Sequence, residues 1–409
     1  MGDNLEDLRR ERRRAVSQAR TVVVKVGSAV LSDARGINTA VMSGLARQMA
    51  LLQNSTGKIC SARRLVLVSS GAVAAGRTVL AAAGQKLDDA NLAARQAAAA
   101  VGQGQLMRAW DTAFAACGMS TAQILLTRDD LRSRERFLNI RNTIAALLDW
   151  NVVPIVNEND TVSVNELKFG DNDCLASLLV NLTGADLFVN LTSAPGVQSA
   201  DPRIKPDSPV MEYIEDVTAL DLKRLCGGKT ETGSGGMYSK LLAARRAAQI
   251  GVSTLILPGR APHVLTQSFR PADADGGGTA DNAEIRKTDQ GTWIRPSEHA
   301  IPRRKFWMAY QADPVGAVAV DAGAAKALLR AGGSLLPGGV RSVEGTFQKG
   351  ALVRILHEGR SIGVGLSNYN ATQLRKIMGL KRHEVAAVLG DAHYPEVIHR
   401  DNLLLDAAI

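Results

Sequence analysis

Thr21-Val22-Val23-Val24-Lys25-Val26-Gly27-Ser28 places one lysine inside a run of valines. A β-branched apolar run of this kind reads as a parallel strand covered on both faces. A lysine within it must bring its ammonium group out of water, which is costly unless an anion meets it. The run breaks at Gly27-Ser28, the carboxyl end of the strand, where open α/β sheets bind ligands. At this point two readings stand. Lys25 meets a phosphate or carboxylate, or it lies on an edge strand and snorkels to solvent.

Outward from that strand, residues 21–258 alternate strand-like and helix-like runs. Strands are expected over 21–26, 65–68, 123–126, 152–156, 186–191 and 253–257, with helix-like stretches between most of them. This alternation predicts an α/β fold with a mainly parallel sheet. The polar stretch 160–170 is expected to project as a hairpin. From Pro271 to about Pro302 the composition changes, and Ala272-Asp273-Ala274-Asp275-Gly276-Gly277-Gly278-Thr279 reads as a linker or loop tip. Short strands with glycine punctuation follow at 315–320, 340–347, 350–355 and 361–365, and helical runs near 321–331 and 370–378. They predict a second, small, strand-rich domain.

The chain has 409 residues, 45% of them hydrophobic, enough for two or three domains and against general disorder. The formal net charge of +9 favours anionic partners without separating a nucleotide from a nucleic acid. The densest basic stretch, Arg9 to Arg14, is expected to be a solvated N-terminal arm, with contact to nucleic acid or an acidic surface as the other reading. Cys60, Cys117, Cys174 and Cys226 lie far apart without a C-x-x-C pair, which opposes a zinc site or disulfide framework and suits the reducing cytoplasm. No apolar signal core or membrane-length run is present, and Asp3, Glu6 and Asp7 oppose a mitochondrial presequence.

Three further stretches carry chemistry. Ser69-Ser70-Gly71-Ala72 ends the second strand, and Ser70 and Gly71 are candidate anion donors at a helix start. Ordinary N-capping by serine is the competing account. Asn157-Glu158-Asn159-Asp160 ends another strand, and Asp171-Asn172-Asp173 opens a helix carrying the stripe Leu175, Leu178, Leu179 and Leu182. One carboxylate would serve as a cap; two beside an amide, facing a strand end of Asn-Glu-Asn-Asp, suit an amino-acid pocket. Thr232-Gly233-Ser234-Gly235-Gly236-Met237-Tyr238-Ser239-Lys240 is a glycine loop opening a helix. A lysine in a first helical turn opposes the macrodipole by ~0.3–1 kcal/mol, and an anion at the loop would explain it. No G-x-x-x-x-G-K-[ST] motif is present.

In this order the motifs resemble the glutamate 5-kinases of the amino-acid-kinase family. The stretch 157–173, Asn-Glu-Asn-Asp-Thr through Gly-Asp-Asn-Asp, separates them from aspartate, acetylglutamate and uridylate kinases. The region around Leu335-Leu336-Pro337-Gly338-Gly339-Val340 resembles the PUA domain that many of them carry. The likeness covers about 20–402. It implies a three-layer αβα sandwich over 20–270, an insert over 271–302 and a β-rich PUA domain over 303–402. It further implies transfer of the ATP γ-phosphoryl group, with Mg²⁺, to the side-chain carboxylate of L-glutamate, the first step of proline biosynthesis. Lys25 and Lys240 would contact the phosphates and Asp173 would orient them. Ser70, Gly71, Asp160 and Asn172 would hold glutamate. Thr192, Ser193, Ser234, Gly235, Gly236 and Met237 would line the ATP site. Family members often have Asp at Ser193 and Tyr at Gln198, so this chain departs from the pattern on the nucleotide side. Feedback inhibition by proline and a homo-oligomeric state, dimer or tetramer, are family expectations. RNA binding through the PUA domain of a protein with a kinase-like half, and phosphorylation of a related acidic amino acid such as aspartate, are the competing functions.

Overall fold

The computed structural model describes residues 2–33, 36–54, 62–88, 91–163, 172–226, 236–270, 290–298, 300–310, 313–390 and 394–406. They fall into two compact units, Met1–Ala300 and Ile301–Ile409.

The first unit is built on an eight-stranded sheet. Its strands are β1 (Thr21–Val26), β4 (Arg64–Ser69), β5 (Thr121–Leu126), β6 (Val153–Glu158), β7 (Leu187–Thr192), β8 (Tyr213–Ile214), β9 (Ser253–Pro258) and β10 (Thr292–Ile294). The pair β2 (Ser32–Asp33) and β3 (Gly36–Ile37) forms a separate small ribbon. The order is β5-β6-β4-β1-β7-β9-β10-β8, parallel from β5 through β9, with β10 antiparallel to β9. From β1 the chain moves to β4 on one side, and from β7 to β9 on the other. The connections diverge between β1 and β7, so a crevice opens beyond the carboxyl ends of these two strands.

β1 is central and wholly buried, which excludes the edge-strand reading of Lys25. Side chains alternate across a strand. Val22, Val24 and Val26 join a core with Met42, Leu45 and Met49 of the helix Thr39–Gln53. Lys25 therefore faces the opposite layer, where the helix Asn172–Thr183 packs on β1 and against the helix Met237–Gln249.

Two expectations change here. The basic N-terminal stretch is not a solvated arm. It forms a helix, Gly2–Gln18, with Leu8, Arg12 and Val16 buried at four-residue spacing. Arg12 donates to the Gln290 carbonyl at 3.0 Å, and Glu11 pairs with Arg295 at 2.9 Å. The spacing satisfies a helical stripe that the dense charge conceals. Nor is 271–302 linker throughout: Thr292–Ile294 adds a strand to the eight-stranded sheet, with Trp293 1% exposed. The stretches 164–171 and 271–289 lie outside the described residues.

The second unit has a five-stranded sheet in the order β12-β11-β13-β14-β15: β11 (Gly316–Val320), β12 (Val340–Gly345), β13 (Leu352–His357), β14 (Arg360–Leu366) and β15 (Leu403–Leu405). Val318, Phe347, Val353, Ile355, Leu374, Ile377 and Ile398 make its own core. Among the described residues no helix is long and apolar enough to cross a membrane, and Cys117, Cys174 and Cys226 form no disulfide.

Candidate active site

Asp173 is fully buried in the first turn of the helix Asn172–Thr183. Lys25 Nζ lies 2.6 Å from its Oδ1 and Lys240 Nζ 2.9 Å from its Oδ2. Lys25 comes from the end of β1; Lys240 from the first turn of the helix Met237–Gln249. Both lysines are buried, at 2% and 4% exposure. Burial alone would push the Asp173 carboxyl up, but the charges and hydrogen bonds of Lys25 and Lys240 outweigh it and hold it well below the usual carboxylate range.

Two neutral donors join the lysines. Asn190 Nδ2 donates to Oδ1 at 2.7 Å and Ser239 Oγ to Oδ2 at 2.8 Å. Each carboxylate oxygen thus accepts one ammonium and one uncharged donor. Asn190 is in register with Lys25 on the neighbouring strand β7, so the two side chains emerge on one face of the sheet. Ser239 precedes Lys240 in its helix. Sequence reading placed Ser239 in the nucleotide loop and named neither residue as a partner of Asp173. For Asn190 the signal is visible: it interrupts an apolar strand run as Lys25 interrupts its valines.

A second network lies beside the first. Asn172 Nδ2 donates to Ser70 Oγ and to Asn157 Oδ1, each at 2.9 Å. Asn157 Nδ2 donates in turn to Gln103 Oε1 at 2.8 Å, from the helix Leu92–Ala115. Asn172 Oδ1 is enclosed with no hydrogen-bond partner among the described residues. Ser70 is therefore not the N-cap that ordinary capping predicts. Gly71 holds that position at φ +118°, a conformation that favours glycine, and the Ser70 hydroxyl is turned to Asn172. Asp160 is half-buried just past β6. A cleft of about 320 Å³ opens nearby, lined by Thr127, Asp129, Asp130, Arg136, Asn159, Val162 and Ser163.

Of the residues expected on the nucleotide side, Thr192 ends β7 and is buried, and Ser193 after it is exposed. Gly236 is the N-cap of the helix Met237–Gln249, and Met237 packs half-buried beside Leu241 and Ile256. Ser234 and Gly235 lie outside the described residues. Gln198 Nε2 donates to the Ser208 carbonyl at 3.1 Å, so its amide braces its own loop.

The amino acid kinase family matches residues 20–257 of this chain, and the PUA domain matches 316–389. The chain belongs to the amino acid kinase family. Among its relatives, the glutamate 5-kinase of Nitratidesulfovibrio vulgaris (strain DP4) is 57% identical over 98% of this chain and 99% of that protein. The glutamate 5-kinase of Oleidesulfovibrio alaskensis is 54% identical over 98% of this chain and 100% of its own. That of Geobacter sulfurreducens is 42% identical over 95% and 98%. In this kinase the family match spans both lysines' elements from β1 to β9, and the PUA match falls within the second unit.

Proposed function

We propose that the chain is a glutamate 5-kinase, transferring the γ-phosphoryl group of ATP to the side-chain carboxylate of L-glutamate to give L-glutamyl 5-phosphate. The observation that carries this reading is the convergence of Lys25 and Lys240 on Asp173 beside the Asn172–Ser70–Asn157 network. The relatives' names support the choice of glutamate.

The chemistry asks little of a base. A glutamate side chain with pKa near ~4.3 is ionised at pH 7 and attacks as it stands. What the protein must supply is alignment of acceptor and phosphoryl group and charge stabilisation on the phosphoryl oxygens. Lys25 and Lys240 supply the charge, and Asp173 sets their direction. Asn172 and Ser70, with Gly71 and Asp160 at the rim, hold the amino acid; the enclosed Asn172 Oδ1 is an acceptor suited to an ammonium group. Thr192, Ser193, Gly236 and Met237 border the nucleotide, with Ser234 and Gly235 as part of the same loop in sequence.

Mg²⁺ does not fit the central carboxylate, because both Asp173 oxygens are already taken by donors. Among the described residues no group of three or more His, Cys, Asp or Glu would hold a metal. Magnesium in this reading arrives on the nucleotide's own oxygens, and no step depends on a protein ligand for it. A cytoplasmic enzyme of proline biosynthesis, homo-oligomeric and inhibited by proline, completes the proposal. The competing role as an RNA-binding protein with a decayed kinase half would leave Lys25, Lys240 and Asp173 no reason to be mutually bonded.

The test is hydroxamate capture of the acyl phosphate with glutamate, aspartate and N-acetylglutamate, each with and without ATP, Mg²⁺ and proline. Glutamate- and ATP-dependent product supports the reading. Equal or faster turnover of aspartate would overturn it.

A further inference from the structure

We infer that Asn190 is a positioning residue for phosphoryl transfer, an uncharged clamp that fixes the plane of the Asp173 carboxylate. This rests on the site reading above. The terminal torsion of an aspartate is soft and nearly two-fold, so the carboxylate plane must be set by its partners. Four donors reach Asp173, at 2.6 to 2.9 Å. Two of them, Lys25 and Lys240, are the ammonium groups that turn toward the phosphoryl oxygens. During that exchange Asn190 and Ser239 are neutral donors that stay to hold the plane. Ser239 sits on the helix that follows the glycine loop, and its hydroxyl is shared with the Gly236 carbonyl at 2.9 Å. Asn190 sits on β7, paired in parallel with β1 on one side and β9 on the other, so it is the fixed member.

The orientation of the amide is decided by chemistry. A carbonyl oxygen 2.7 Å from Asp173 Oδ1 would be repelled, so the NH₂ faces the carboxylate. The other end, Asn190 Oδ1, is then enclosed without a hydrogen-bond partner among the described residues, on a side chain 0% exposed. A residue serving only the sheet would not carry that penalty, because its strand neighbours Val189 and Leu191 are apolar and equally buried. The asparagine is explained by the one bond it makes, and that bond goes to Asp173.

Asn190→Leu and Asn190→Val both remove the donor while suiting a buried strand. The hydroxamate assay is run on parent and variants, with a thermal melt of each. The expected result is a kcat lowered by about tenfold or more with KM for glutamate within about twofold of parent, because the lost contact acts on alignment in the transition state and not on the glutamate network. Asn190→Leu combined with Ser239→Ala is expected to lower kcat by more than the product of the single effects, since the two bonds hold the same carboxylate. Either apolar variant, folded and within about twofold of the parent kcat while the parent is active, would overturn this inference alone. A parent with no glutamate-dependent product would overturn the site reading and this inference with it.

Discussion

Lys25 Nζ stands 2.6 Å from Asp173 Oδ1, the lysine side chain 3% and the aspartate 0% exposed. A valine-rich strand thus ends in a buried ion pair, where an apolar residue would pack at less desolvation cost. Stability does not account for it; the role proposed for Lys25 on the phosphoryl group would. Lys25→Ala is expected to lower kcat by ~10²–10³, the scale of losing one electrostatic donor in a buried site. Lys25→Arg is expected to fail as well, since a planar guanidinium cannot occupy the place of a compact ammonium group. Near-parental kcat in either variant, measured under saturating ATP and glutamate, would remove Lys25 from the mechanism.

Asp173→Asn tests the centre of the arrangement through stability. Lys25 and Lys240 hold the folded-state carboxyl below its ordinary value against the opposing pull of burial. The group is ionised in both folded and unfolded chains above about pH 4, so its contribution is complete there and drains away as pH falls further toward the folded value. At pH 7 the variant should be less stable by ~3–5 kcal/mol, the usual scale for removing one partner of a buried pair. The difference from parent should narrow in urea titrations below about pH 4. A gap that stays constant from neutral to acid would contradict the assignment.

Strand positions were readable because buried parallel strands leave unbroken apolar runs: 21–26 is reproduced residue for residue, and 253–257 falls one short of Ser253–Pro258. Lys25 and Lys240 were readable because each is a charge where local structure has no use for one, and Asp173 because two carboxylates beside an amide exceed what a helix cap needs. Thr292–Ile294 was not, since a three-residue strand after a glycine-rich stretch is too short to show a period. Strand Leu403–Leu405 was missed for the same reason of length, and helix Arg382–Leu389 was missed as well. The contacts of Asn190 and Gln103 escaped because neutral amides find their partners across the fold, and they appear only once β7, β6 and the helix Leu92–Ala115 are brought together.

The N-terminal helix gives a contrast within one basic cluster. Arg12 is 2% exposed and bonded to the Gln290 carbonyl, whereas Arg13 is exposed. Arg12→Ala should destabilise the protein by ~1–3 kcal/mol through the carbonyl and packing it leaves behind. Arg13→Ala should stay within ~0.5 kcal/mol of parent. Urea titrations of the two variants decide it. Equal costs would return the stretch to the solvated arm that its composition suggests.

The helix Ala72–Ala82 starts immediately after Ser70 and Gly71, so its crossing with the helix Leu92–Ala115 helps set where the Ser70 hydroxyl sits. Two glycines allow that crossing. A Cβ on Gly76 would fall 1.8 Å from the Ala98 carbonyl oxygen, and one on Gly102 would fall 1.8 Å from that of Ala72. Neither neighbour is a side chain that can swing aside, so the helices would have to separate. Gly76→Ala and Gly102→Ala should each cost ~1–3 kcal/mol or more, as overpacking does. Because the displaced helix carries the Ser70 end of the glutamate network, any folded variant should also show a raised KM for glutamate. Gly104 lies further along the same helix, and a Cβ there would meet nothing within 4 Å. Gly104→Ala should therefore gain ~0.5–1 kcal/mol from helix propensity alone. Thermal melts and glutamate titrations of the three variants separate a steric crossing from a general dislike of alanine. If Gly102→Ala melts with Gly104→Ala, the close approach does not position this end of the site.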